Sequence, residues 1–384
     1  MKKLVLLVSM ILLCQSLFAQ RVALVKEDGK YGFLKEDGSW LVEPSYEGAF
    51  NFSDGLAAVH SKKVSGFIDS SGELVIERDF DKAKPFDSGL ALISQDKRWL
   101  YINKKGEEVE MPASDKKYRF RNGLAYINRD DKIGLINALG EVVLEPKYDK
   151  ILKFYNGHSG VKLGDNWGMI DDKGQEYLKM EFQFVGHYSE GVVPVKKDGT
   201  FGLMNDGVFT KVEGATKIWN FDDGENLAIA RNDSKLVGFI DRTGKWVIEP
   251  KYAKVKEFSY ELAPVMDNGK LWGYINESGE VVIEAKYRDA EIFSEDELAP
   301  VKISKLWGFI NRQGDLVIED KYIIKSSFGG LTFIGGDVSL SRVGFSNGLS
   351  RVGYKKQWGF INTKGEVLSD TWYQNAENFV EIKQ

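Results

Sequence analysis

Trp272-Gly273-Tyr274-Ile275-Asn276-Glu277-Ser278-Gly279-Glu280-Val281-Val282-Ile283-Glu284 decides the fold of this chain. Asn at the first and Gly at the fourth position of Asn276-Glu277-Ser278-Gly279 is the signature of a type I turn. A glycine there also supplies the left-handed backbone that closes a hairpin with a bulge. The apolar stretches on either side, Trp272 to Ile275 and Val281 to Ile283, therefore read as two antiparallel strands. Upstream, Leu262-Ala263-Pro264-Val265-Met266 is a third apolar stretch, joined to the first by the turn residues Asp267-Asn268-Gly269-Lys270. The unit is a three-stranded antiparallel meander.

The same unit recurs along the chain. Its marker glycine stands at 32, 66, 134, 168, 202, 238, 273, 308 and 359, with Leu100 filling the gap at the position between 66 and 134. The first six markers are 34 residues apart, the next steps are 36, 35 and 35, and the last is 51. A period in this range marks a repeat architecture whose units are too small to bury a core alone. After each third strand comes an aromatic and, six positions later, another, as in Tyr46/Phe52, Tyr252/Phe258 and Tyr287/Phe293. Pro44, Pro146 and Pro250 are read as marking the end of the third strand, where a missing N–H is tolerated. The expected fold is all-β, a tandem array of ten three-stranded antiparallel units with no substantial helix.

Two arrangements fit such an array: an open, curved or superhelical solenoid, or a closed, propeller-like ring. Ten blades are many for one ring, and 34 residues are few for a four-stranded blade. The chain begins on a complete strand (Val22-Ala23-Leu24-Val25) and ends near Phe379-Val380-Glu381-Ile382, which resembles the first strand of an eleventh unit. That strand would cap an open end, so the open form is the expectation. Sharing of one sheet by the first and last units would overturn it. The long last step points to an insertion at about 329–345, where Leu340-Ser341-Arg342-Val343-Gly344 is nearly duplicated by Leu349-Ser350-Arg351-Val352-Gly353. Phe328 and Phe345 both offer themselves as the lead into the last unit. The copies around Trp99 and Phe201 are the most eroded.

Residues 1–19 stand apart. Lys2 and Lys3 precede the apolar run Leu4 to Leu13, and Ala19 ends a plausible cleavage site before Gln20. This reads as a signal peptide, too short for a membrane span. The chain's one cysteine, Cys14, lies within it, so neither a disulfide nor a thiol site is expected in residues 20–384. Cys14 is not read as a lipidation site, because Leu13 stands where a small residue is required. The net charge of −5 argues against nucleic acid, which needs a basic footprint.

Trp-Gly-aromatic-Ile-Asn-x-x-Gly, followed by Val-Val-Ile-Glu and an aromatic, resembles the WG-containing repeat (WG β-repeat) family of bacterial exported proteins. The resemblance covers about residues 21 to 384 and is carried by Trp167-Gly168, Trp272-Gly273, Trp307-Gly308 and Trp358-Gly359. It implies an all-β repeat protein of exported or envelope type and brings no catalytic residues with it. The tryptophans are read as packing between neighbouring units rather than as ligand platforms. His60, His158 and His187 occupy different positions in their units and show no metal-ligand spacing. No catalytic, cofactor-binding or metal-binding residue is expected. The expected function is non-enzymatic binding or scaffolding at the cell envelope, periplasmic, extracellular or outer-surface associated, with a protein partner. The alternative is a glycan-binding or glycan-cleaving protein using exposed aromatics. Exposure of Trp167, Trp272, Trp307 and Trp358 discriminates between the two. The sequence gives no reason to expect a nucleic-acid partner or a membrane span.

Overall fold

The computed structural model describes residues 20–222, 224–325 and 343–383. The signal peptide read at 1–19 and the stretch 329–342 of the insertion lie outside the described residues. Each marker turn closes as its residues require. Asn276 Oδ1 accepts the backbone N–H groups of Ser278 and Glu280 at 3.2 and 2.9 Å. Gly279 N–H donates to the Asn276 carbonyl at 2.9 Å, with Gly279 at φ +84°. These Asn and Asp residues are turn formers.

The unit built around Trp272 has strands Leu262–Met266, Trp272–Asn276 and Val281–Tyr287, all antiparallel. A fourth, two-residue strand, Lys254–Val255, pairs with Met266 and Val265 on the free side of the first. The expectation of three-stranded units is corrected here. Seven of the ten sheets among the described residues have four strands, because the segment leading into each unit runs briefly alongside its first strand. Apolar alternation cannot announce a strand two residues long.

The third strands also run further than expected. Trp40–Tyr46, Val142–Tyr148 and Trp246–Tyr252 contain Pro44, Pro146 and Pro250 in their interiors. These prolines sit where the register slips. Ile133 faces Tyr148 and Leu135 faces Leu144, so two steps on one strand match four on the other. A bulge leaves an N–H outside the ladder, which is where proline costs least. The close approach of the third strand explains the marker glycine, at the bulged units and also at Gly202, whose third strand pairs without a bulge. A Cβ on Gly308 would lie 2.5 Å from the Ile318 carbonyl oxygen and 2.9 Å from Asp320 N. In the one copy that carries Leu100 instead, the third strand shrinks to Glu108–Val109 and pairs without a bulge.

The first and last parts of the chain share one sheet. Asn375–Ala376 pairs with Lys26 and Val25, in the place that every other lead-in strand takes beside its own first strand. Val380–Glu381 pairs with Val22 and Arg21, and Ile382 N–H donates to the Gln20 carbonyl at 2.8 Å. This overturns the open solenoid: the array closes into a β-propeller-like ring of ten small antiparallel sheets. Val380–Glu381 is not the cap of an open end; it completes the first sheet.

No unit has a core of its own. One cluster joins Trp272, Tyr274 and Ile283 of the eighth unit to Phe293, Val301 and Ile310 of the ninth. The seam is built the same way, with Phe360 and Tyr373 of the last unit packed on Ala23, Val25 and Leu34 of the first. The recurring lead-in phenylalanine meets the second-strand aromatic of the preceding unit, as in Tyr274–Phe293 (5.1 Å) and Phe239–Phe258 (4.7 Å). Phe360–Phe379 repeats this contact across the seam at 4.6 Å. Burying one such ring contributes about 1.5–3 kcal/mol. Phe345 takes this position in the last unit, 4.9 Å from Phe309, so Phe345 rather than Phe328 leads into the first strand Leu349–Tyr354. The only helical element among the described residues is the three-residue turn Leu368–Asp370.

Candidate functional site

The two faces of the ring follow from its turns. On one face lie the lead-in turns, laced from unit to unit. Gly89 N–H donates to Asp54 Oδ2 at 2.6 Å, and Gly123 N–H donates to Ser88 Oγ at 2.7 Å. The turns between second and third strands reach this same face, where Arg312 binds the Tyr260 carbonyl at 2.8 Å and Glu261 at 2.8 Å. On the other face, several hairpin turns are held by the residue just before the short strand. Gly164 N–H donates to Asp149 Oδ2 at 2.7 Å, and Gly29 N–H to Gln374 Oε1 at 2.8 Å across the seam.

The signature tryptophans are scaffold. Trp272 and Trp307 are 7% and 9% exposed, under Lys256 and Lys302. Trp167 and Trp358 are half-buried, the latter covered by the Arg351 guanidinium 3.7 Å from its ring. None of the nine tryptophans is among the exposed residues. Gly168, Gly273, Gly308 and Gly359 are buried at the bulges or against Trp372. These eight residues lie as four pairs in four units and converge on no site. The histidines do not converge on a metal either. His60 Nδ1 lies 2.7 Å from Ser65 Oγ, while His158 stacks on Tyr188 and His187 on Tyr155. Among the described residues no group of three or more His, Cys, Asp or Glu could hold a metal ion, and no helix is long and apolar enough to cross a membrane.

Three cavities open at the lead-in segments, the third of them, about 290 Å³, between Phe50, His60, Phe80 and Lys82. The first, about 490 Å³, lies beside the seam between Tyr260, Phe293, Phe345, Arg351 and Phe379. Arg21 crosses its rim to Glu36 (2.6 Å) and the Phe379 carbonyl (3.4 Å). The second, about 240 Å³, lies between the segments leading into the third, fourth and fifth units. Its wall combines Phe86, Tyr126 and Phe154 with Arg119, Arg121 and Lys153, and Asp87 is the one acid lining it.

That second cavity gathers like charge in a partly buried place. Lys84, next in sequence to the lining Pro85, is pushed down to about 8 by burial, and the cations Arg119, Lys82 and Arg121 push the same way. Burial likewise lowers Arg121, with Arg119 adding to the effect, while Tyr126 and Asp87 oppose it. Burial lowers Arg119, with Asp87 opposing. Tyr126 Oη donates to the Leu152 carbonyl at 2.8 Å and packs edge-on against Tyr118. Sequence reasoning missed this cluster. Its signal was the run Lys116-Lys117-Tyr118-Arg119-Phe120-Arg121, four cations within six residues of an acidic chain.

The sequence model of the WG containing repeat matches residues 31–60, 66–99, 133–167, 167–201, 238–270, 272–307, 307–322 and 358–381, well over half of the chain. No curated protein matches the chain. A crystal structure of the eukaryotic initiation factor superimposes with a TM-score of 0.55 at 8% identity, covering 94% of this chain and 98% of that one. BamB from Moraxella catarrhalis is similar at a TM-score of 0.31 and 12% identity, over 84% of this chain and 98% of its own. Dihydro-heme d1 dehydrogenase NirN in complex with DHE gives 0.39 and 10%, over 95% and 75%. The first of these likenesses shows a shared fold.

Proposed function

Since the chain belongs to the family of WG-containing repeat proteins, we propose that it is a non-enzymatic binding or scaffolding protein of the bacterial cell envelope, acting on a protein partner. One observation carries this reading: the lead-in segments keep one residue fixed for packing and vary its neighbour freely. Phe52, Phe86, Phe120, Phe258 and Phe293 are all buried, each against the preceding unit. The residues just before the first four are Asn51, Pro85, Arg119 and Glu257, which are half-buried and share no chemistry, while Ile292 before the last is itself buried. A position that changes while its scaffold stays constant is what a continuous recognition surface requires.

A protein partner suits the third-strand edges. Val75, Val247, Val282 and Val317 recur at equivalent places and are 43–48% exposed. Recurrent exposed apolar side chains of this kind mark interaction surfaces. The glycan reading has lost its tryptophan platforms but keeps a local footing in Tyr155 and Tyr177, 37% and 38% exposed beside His187 and His158. Export rests on the signal-peptide pattern of residues 1–19. The test is capture from envelope extract with residues 20–384 as bait, run beside a glycan array. A defined protein retained by the bait and lost on Val282→Asp with Val317→Asp supports the proposal. Binding only to glycans, lost on Tyr155→Ala, overturns it in favour of the alternative.

A further inference from the structure

We infer that the cavity between the second and third units is a receptor for an indole ring, presented by a tryptophan of a protein partner. The signature position of the repeat holds an aromatic or branched aliphatic residue in nine units and Ser65 in the second. Elsewhere that side chain packs between units: Trp167 shares a cluster with Phe182 and Val185, and Trp272 shares one with Tyr287 and Ala290. In the second unit the matching residues are Phe80 and Ala83, and both line the cavity of about 290 Å³. The residues that cover the signature ring in other units line it too. Lys256 and Lys302 lie over the indoles of Trp272 and Trp307, at 5.4 and 5.9 Å. Ladder register puts Phe50 at the place of Lys256, just after the lead-in strand, and His60 at the place of Lys302, opposite Ser65. In the sixth unit Phe184 opens the lead-in strand and stands 6.1 Å from the signature ring of Phe201. Its equivalent here is Gly48, which adds no side chain. The cavity therefore occupies the volume of a missing signature side chain.

The chain itself shows what fits there. It packs an indole against this same set of places in the eighth and ninth units, so a planar ring of that size matches the shape. Ser65 does not fill the space: it is buried, with its Oγ 2.7 Å from His60 Nδ1. Ala49, Val59 and Phe80 make the inner wall apolar, while His60, Asp81 and Lys82 are exposed. A sugar would leave hydroxyl groups unpaired against such a wall. An apolar pocket with a polar rim suits instead the buried aromatic anchor at the centre of a protein interface. The source of the ring rests on the protein-partner reading proposed above.

Saturation-transfer NMR titration of residues 20–384 with indole, N-acetyl-tryptophanamide and N-acetyl-leucinamide tests the cavity, with thermal melts in parallel. Both indole probes should bind at one site, and the leucine amide at least tenfold more weakly. Ser65→Trp fills the space with the chain's own ring and should abolish binding and raise the melting temperature. Gly48→Phe places a ring as Phe184 does and should weaken both indole probes at least tenfold, which decides the matter even where Ser65→Trp overpacks the unit. Lys150→Phe, at the same place in the fifth unit, should leave binding unchanged. No saturable binding of either indole probe, equal binding of the leucine amide, or a folded Gly48→Phe protein of unchanged affinity would overturn the site. The source of the ring is read from envelope capture, where the retained protein should be lost from Gly48→Phe bait. Unchanged retention by bait that no longer binds the probes would make the occupant a free indole compound and overturn the partner's tryptophan. Capture of no protein at all removes the protein-partner reading of the whole chain, while the probes still decide the cavity.

Discussion

At the residue scale, two kinds of position carry the account, and each makes a prediction. The marker glycine is required by proximity rather than by dihedral angle, because the bulged third strand brings carbonyl oxygens against its Cα. Gly308→Ala must push the Ile318 carbonyl away and should cost about 1–3 kcal/mol in chemical denaturation. An alanine tolerated there without loss would mean that the bulge is not what selects glycine. Lys84 is the opposite case, a residue whose charge weakens the fold. Its folded pKa lies below the ordinary lysine value, so the unfolded chain binds more protons between about 8 and that value, and stability rises with pH across the window. Lys84→Gln should therefore raise the melting temperature at pH 7, with a gain that shrinks as pH rises through 8 towards the ordinary lysine value. A lower melting temperature for Lys84→Gln at pH 7 would show that neighbouring carboxylates neutralise the charge.

At the scale of elements, the lead-in strand is the joint of the structure. Ala290 and Ala376 hold the same place in it, facing Val301 and Val25, and both are fully buried. Placing a charge there without a partner should cost about 3–5 kcal/mol at either position. Ala290→Asp and Ala376→Asp should thus be comparably destabilised in thermal melts, although one lies inside the array and the other at the seam. A silent Ala376→Asp would mean that the seam is not packed like the other joints. The three long strands of the regular units were legible because Asn276, Gly279 and the apolar runs around them are local signals. The lead-in strand was not, because two residues such as Lys254 and Val255 carry no period, and only the ladder across to Met266 defines them. Pro44 and Pro250 misled for a related reason: a bulge depends on the register between two strands, which one strand's sequence does not contain. The basic cluster escaped because Arg121 and Lys153 lie in different repeats, and only the packing of the array brings them to one cavity.

At the scale of the whole molecule, closure turns ten weak units into one cooperative body, since every unit then has two neighbours to bury its aromatics against. The proposed export makes a separate prediction: the mature protein should begin at Gln20, read directly by mass spectrometry, and an N-terminus retained at Met1 would argue against the signal peptide. The central claim is the ring itself, and it places Lys26 directly opposite Asn375 on paired strands. Residues 20–384 contain no cysteine, so Lys26→Cys with Asn375→Cys introduces the only two thiols. Adjacent positions on paired strands are within disulfide reach, whereas the ends of an open ten-unit array are not. Mild oxidation of the dilute double variant should give a monomeric, internally cross-linked product, seen as a mass loss of about two hydrogens and as faster migration on a non-reducing gel. A chain that stays reduced, or that links only to other chains, would contradict the closed ring.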